Sequence, residues 1–144
     1  MKFSIGKGSS VHLGCQFTGV TCFSMGKNSV INQYCRIDNR GYISIGDDVS
    51  ISPCVNLITA DHDIYASNLM GRQKEIIIKE HLFIGSDAMV LPGVIMEEGS
   101  VLGAKSLLTK STVAFGIYSK LPAKLRANRP NNLNYDSSYI RWFH

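Results

Sequence analysis

The sequence predicts an all-β chain, a parallel β-helix of about five coils, and two observations carry that expectation. The first is a period of six. Ile78, Ile84, Val90, Met96, Leu102 and Leu108 follow one another at six-residue steps without exception. The second is the companion position four residues on: Leu82, Ala88, Val94, Ser100, Ser106 and Thr112, small or β-branched apart from Leu82. Gly85, Gly93, Gly99 and Gly103 fall beside or between these positions. A helix would need apolar residues three and four apart, and a lone strand alternates over only a few residues. A hexad sustained from Ile78 to Thr112 is a solenoid signal: each step is a short strand plus a turn, and three steps close a triangular circuit. The aliphatic residue points into the axis, the small one fits near the corner, and Gly supplies the backbone angles of a tight corner.

Read in order, the same repeat opens the chain in less regular form. Ile5, Val11 and Phe17 make a first triplet, with Ser9, Cys15 and Thr21 at the small positions. Met25, Ile31 and Ile37 make a second, with Ser29 and Cys35, and Ile45, Ile51 and Leu57 a third, with Val49 and Val55. These triplets begin twenty residues apart rather than eighteen, so two extra residues bulge from one corner of each early coil. Five coils at roughly 4.8 Å per layer give a prism about 24 Å tall. Between coils three and four the hexad stops, and residues 58–77 form a long excursion; such insertions gather on one face of a solenoid and carry function. The repeat ends at Thr112. The expected organisation is a β-helix over 1–112 and a C-terminal cap or tail over 113–144, with some helix and an aromatic finish (Tyr135, Tyr139, Trp142, Phe143). A cap is needed because an open solenoid end exposes unpaired strand edges.

Composition fits one domain: 144 residues, 44% apolar, formal charge +4. No eighteen-residue apolar run or basic-then-apolar leader is present, so the expectation is a cytoplasmic protein without a membrane span. Cys15, Cys22, Cys35 and Cys54 lack zinc-ligand spacing, and reduced thiols are expected.

The run Ile78 to Thr112, the His-bearing excursion before it and Pro122-Ala123-Lys124 after it resemble the hexapeptide-repeat acyltransferases. Phe83-Ile84-Gly85-Ser86, Leu91-Pro92-Gly93-Val94, Leu102-Gly103-Ala104 and Leu108-Thr109-Lys110 follow that family's wording closely. The likeness is to the branch of maltose, galactoside, xenobiotic and surface-polysaccharide O-acetyltransferases and covers about residues 25–126. It implies a left-handed coil, an exception to the usual right-handed crossover. It also implies a homotrimer with active sites at subunit interfaces, acetyl-CoA as cosubstrate and a sugar or saccharide acceptor.

Of four histidines, His62 lies in the excursion in Thr59-Ala60-Asp61-His62, which resembles the family's Thr-x-x-His segment. That resemblance makes His62 the general base that takes a proton from an acceptor hydroxyl, a task suited to imidazole at neutral pH. Asp61, Asn56, Glu75 and Phe83 are candidate acceptor contacts, although a solvated or turn-capping carboxylate is the plainer reading of Asp61 and Glu75. His81 reads as an exposed corner residue. A zinc hydratase of the same fold would need a pair of histidines five residues apart, which does not occur, so no metal is expected.

From Gly99 to Tyr135 there is no Asp or Glu, yet Lys105, Lys110, Lys120, Lys124, Arg126 and Arg129 are present. A one-sign run suits a ligand with several phosphates. The resemblance places pantetheine near Ser86 and Ala104, and the nucleotide end near Thr109, Lys110, Lys124 and Arg126. A polyanion patch is the alternative, but no aromatic-interleaved RNA motif accompanies it, and no nucleic acid is expected.

Departures from the family wording also matter. Cys54 stands where sugar acetyltransferases often hold Asn, Phe83 replaces Trp, and Lys120-Leu121-Pro122-Ala123-Lys124 replaces a Gly-led turn. Together with a short His-bearing loop, they direct the expectation to acetylation of a capsule, O-antigen or exopolysaccharide precursor. Two alternatives are a catalytically silent assembly scaffold, and an N-acetyltransferase on an amino sugar. The scaffold needs neither His62 nor the basic run. The relatives with the latter activity usually carry a separate N-terminal nucleotide-binding domain, whereas here the repeat starts at Ile5.

Overall fold

The computed structural model describes residues 3–19 and 22–138, which form a three-faced parallel solenoid. Coil one is β1 (Ser4–Ile5), β2 (Ser10–Val11) and β3 (Gln16–Phe17); coil two is β4 (Phe23–Met25), β5 (Val30–Ile31) and β6 (Arg36–Asp38). Coil three is β7 (Ile43–Ile45), β8 (Ser50–Ile51) and β9 (Asn56–Ile58). The excursion follows as a hairpin of β10 (Ala60–His62) and β11 (Gly71–Gln73). Coil four is β12 (Ile76–Ile78), β13 (Phe83–Ile84) and β14 (Met89–Val90). Coil five is β15 (Ile95–Met96), β16 (Val101–Leu102) and β17 (Leu107–Leu108). The chain ends its ordered pairing in β18 (Gly116–Ser119) and β19 (Lys124–Asn128).

Face one stacks β1, β4, β7, β12 and β15; face two stacks β2, β5, β8, β13 and β16; face three stacks β3, β6, β9, β14 and β17. The five expected coils are therefore present. On face two, β18 pairs in parallel with β16 as a sixth level, and β19 pairs antiparallel with β18.

The hexad residues do what the period requires. Ile78, Ile84, Val90, Met96, Leu102 and Leu108 are all buried, as are Leu82, Ala88, Val94, Ser100, Ser106 and Thr112 at the companion position. The small polar members are satisfied internally: Thr112 Oγ1 donates to Ser100 Oγ (3.0 Å), and Lys120 N donates to Ser106 Oγ (3.0 Å). Buried hydroxyls without such partners would destabilise the axis. Ile5 is exposed and Phe17 half-buried because the first coil has a neighbour on one side only, and Phe3, Phe17 and Phe23 pack together there.

The two extra residues of each early coil leave the corner between faces three and one. Eight residues separate Phe17 from Met25 and Ile37 from Ile45, against six from Val90 to Met96. Asn39 braces this corner, accepting from Gly19 N (2.7 Å) and donating to Gly19 O (2.9 Å). The hairpin leaves from the same corner, one coil higher.

Two expectations are corrected. The tail holds no helix among its described residues; 116–119 and 124–128 are strand, because the open edge of face two offers ladder partners that a helix could not use. Thr21, Tyr139, Trp142 and Phe143 lie outside the described residues. The corner glycines also divide: Gly93 (φ 85°) and Gly99 (φ 67°) supply left-handed angles as expected, whereas Gly85 and Gly103 do not. The left-handed angles of coils four and five between faces two and three fall on Asp87 (φ 60°) and Lys105 (φ 56°). Gly85 is required by close stacking instead, since a Cβ there would lie 2.5 Å from Ala104 N. Among the described residues no helix is long and apolar enough to cross a membrane.

Candidate active site

The hairpin root is fixed before the hairpin begins. Thr59 is fully buried; its hydroxyl accepts from Gly41 N (2.8 Å) and donates to the Asp38 carbonyl, while its own carbonyl accepts from Lys74 N (2.8 Å). Lys74 in turn lays its side chain over Gly93, whose N–H donates to the Glu75 carbonyl at 3.1 Å. Asp38 is held by Arg40 through two bonds of 2.8 Å, and that guanidinium keeps its carboxyl below the ordinary carboxylate range.

Above this root β10 and β11 pair antiparallel, with Ala60 opposite Gln73, Asp61 opposite Arg72 and His62 opposite Gly71. Side chains alternate along a strand, so Ala60, His62, Gly71 and Gln73 share one face of the ribbon and Asp61 and Arg72 the other. Both Asp61 oxygens are taken by Arg72 at 2.9 Å, which lowers the Asp61 pKa. Asp61 therefore braces the ribbon on the face opposite His62.

His62 is exposed, and its Nδ1 lies 2.9 Å from the Leu69 carbonyl. A carbonyl can only accept, so Nδ1 carries the hydrogen and the neutral ring keeps its lone pair on Nε2. The loop that presents Leu69 is closed by its own bonds: Asp63 N to Met70 O (2.9 Å), Leu69 N to Ala66 O (3.0 Å), and Tyr65 N to Asp63 Oδ1 (3.0 Å). Its tip exposes Ile64, Tyr65, Leu69 and Met70.

The remaining candidate residues divide between two corners of the prism. Thr109 and Lys110 stand at the corner between faces three and one, two coils above the hairpin root, and Glu75 at the point where the hairpin rejoins. Ser86 and Ala104 stand at the corner between faces two and three, on successive coils, with Lys105 N donating to the Ser86 carbonyl (2.9 Å). Asn56 lies on face three between these corners, its amide donating to Cys54 O (3.2 Å). Lys124 and Arg126 are exposed on β19, above face two. Phe83 is exposed on face two, which is the face opposite the His62 corner. The candidate residues are thus divided between two corners rather than gathered in a single cluster.

The basic run is spread around the upper coils rather than gathered. Arg129 crosses to the third corner, donating to the carbonyls of His81 (3.3 Å) and Gly99 (3.2 Å). His81 is half-buried beneath Tyr135 rather than exposed, with Tyr135 Oη donating to its carbonyl at 2.9 Å. Among the described residues no three His, Cys, Asp or Glu side chains are grouped to hold a metal ion.

Sequence reasoning missed the Leu69 carbonyl, a backbone group with no residue signal. It also missed Arg72, which opposite charge at matching distances from a turn could have revealed once 60–73 was read as a hairpin.

No family model matches the chain. A dTDP-4-amino-4,6-dideoxy-D-glucose acyltransferase of Escherichia coli is 29% identical over 111 residues, 69% of this chain and 57% of that protein. A galactoside O-acetyltransferase of Lactococcus lactis is 38% identical over 82 residues, 51% of this chain and 39% of that protein. The chain thus spans about half the length of the curated relatives it matches. Among solved structures, a galactoside acetyltransferase in complex with coenzyme A superposes with a TM-score of 0.83 at 24% identity, covering 92% of this chain and 71% of that one. These neighbours are left-handed β-helices, and the chain shares their fold. The chain thus has hexapeptide-repeat acetyltransferases as its relatives and shares their fold.

Proposed function

We propose that the protein is an acetyl-CoA-dependent O-acetyltransferase acting on a saccharide hydroxyl, with His62 as general base. The observation that carries this is the Nδ1 bond to the Leu69 carbonyl, which leaves Nε2 as an outward-facing base on a braced hairpin. Names of relatives, a galactoside O-acetyltransferase among them, support the same reaction. A surface-polysaccharide precursor remains the acceptor expected from the sequence.

The corner that would hold the donor fits an extended amide-bearing arm. Ser86 and Ala104 add little bulk on successive coils, and Lys105 and Lys120 flank the column. Acetyl-CoA supplies an acyl group already activated as a thioester. His62 Nε2 takes the proton as the acceptor oxygen attacks, a backbone N–H at Ser86 donates to the developing oxyanion, and His62 returns the proton to the departing thiolate. Because His62 and Ser86 lie at different corners of one prism, the site is completed between copies of the chain, in a trimer. The exposed apolar tip beside His62 supports this, since such a patch is ordinarily covered. The test is calorimetric titration of acetyl-CoA and CoA with the mass in solution. One site per subunit on a trimer is expected; a folded oligomer that binds neither at millimolar ligand overturns the proposal.

A second reading, transfer to the amine of a nucleotide-linked amino sugar, is favoured by the Escherichia coli dTDP-amino-sugar acyltransferase relative. The same assay with an amino-sugar nucleotide beside the alcohol acceptors separates the two.

A further inference from the structure

Twelve of the thirteen glycines have a reason inside the fold: a positive φ, or a neighbour within 3.2 Å of where a Cβ would stand. Gly71 has neither. A Cβ there would meet nothing within 4 Å, and its backbone lies outside the left-handed region. Glycine in a strand weakens the strand and packs nothing, so it ordinarily marks a close approach by something else. Gly71 pairs directly with His62, the one cross-strand position from which a side chain would crowd the imidazole. The ring does not lie over it, being turned to Leu69 O. Ala60 keeps the same face low, and Gln73 adds an exposed amide with donor and acceptor atoms.

We propose that Gly71 sets the size of the acceptor: the floor of Gly71 and Ala60 receives the saccharide ring beside His62 Nε2, and Gln73 bonds a hydroxyl next to the one that reacts. This rests on the transferase reading above and adds to it the residues that select a ring-sized polyol. A contact with a neighbouring subunit would not call for a polar amide and an open space around the base, which is why the acceptor is the occupant argued for.

The experiment compares the wild type with Gly71→Ala, Gly71→Val and Gln73→Ala on methyl pyranosides of galactose, glucose, mannose and N-acetylglucosamine, and on glycerol, following release of the CoA thiol. For Gly71→Val, kcat/KM on the best pyranoside is expected to fall about 10–200-fold, the range for one or two misplaced methyl groups in a binding site. Gly71→Ala should fall less and glycerol should be nearly spared. Gln73→Ala should raise KM for the pyranoside, and acetyl-CoA affinity and solution mass should stay unchanged in all three. Wild-type kcat/KM in Gly71→Val overturns the proposal. A changed mass also overturns it, by assigning the bare position to subunit packing, and weakened acetyl-CoA binding does so by assigning it to the donor. If the wild type transfers acetyl to none of the acceptors, the transferase reading fails, and this proposal with it.

Discussion

Thr59 joins the hairpin to the solenoid, and its replacement by Val is a sharp test of how His62 is held. Val fills the same volume but exchanges the hydroxyl for a methyl. Two hydrogen bonds are lost, leaving Gly41 N–H and the Asp38 carbonyl unpaired in an interior where Thr59 is 0% exposed. An orphaned buried partner costs about 1–3 kcal/mol, so the two together amount to about 2–6 kcal/mol. The new methyl would also take the place of an oxygen lying 2.8 Å from Gly41 N, too near for carbon, which adds strain. Thr59→Ser keeps both bonds and loses a methyl, for about 1 kcal/mol. Urea unfolding followed by far-ultraviolet circular dichroism measures both variants, and acetyl transfer should fall more in Val than in Ser. A Val variant within about 0.5 kcal/mol of wild type would refute the reasoning, because buried orphaned groups cannot be that inexpensive.

Two further outcomes follow from the titrating groups. Arg40 depresses the Asp38 pKa, so their pairing contributes stability above the unfolded-state pKa, and that contribution is lost as pH falls through the folded-state value. Asp38→Asn should lower stability at neutral pH by about 2 kcal/mol and flatten the acid limb of the stability–pH curve; an unchanged acid limb contradicts the pairing. Burial pushes the Cys35 thiol up to about 12, so at pH 8 it should be the slowest cysteine to alkylate in the folded protein, by mass spectrometry of each peptide. Labelling of Cys35 ahead of half-buried Cys54 would contradict its placement.

The solenoid was legible because one physical demand repeats in it: every sixth residue must fill the axis, and Ile78 through Leu108 record that demand with nothing competing. The corner of the two-residue bulges could be read from Phe17-to-Met25 and Ile37-to-Ile45 spacing for the same reason. The tail was not legible, since whether Gly116–Ser119 forms strand or helix depends on the open edge of β16 beneath it. At the candidate site, the motif pointed to His62 and Thr59. The function of each atom was not: it is set by a backbone carbonyl at Leu69 and by which strand face each side chain takes, Asp61 pairing with Arg72 away from His62. The division of Ser86 and Thr109 between two corners follows from counting turns once the strands are known.

The central claim is proton abstraction by His62, and the most direct measurement is acetyl transfer by His62→Asn with acetyl-CoA binding measured on the same sample. Asn can keep a bond to the Leu69 carbonyl but cannot act as a base near neutral pH. The account predicts unchanged donor affinity and a kcat lower by about 100-fold or more, the range for a lost general base. Wild-type turnover by His62→Asn would contradict it.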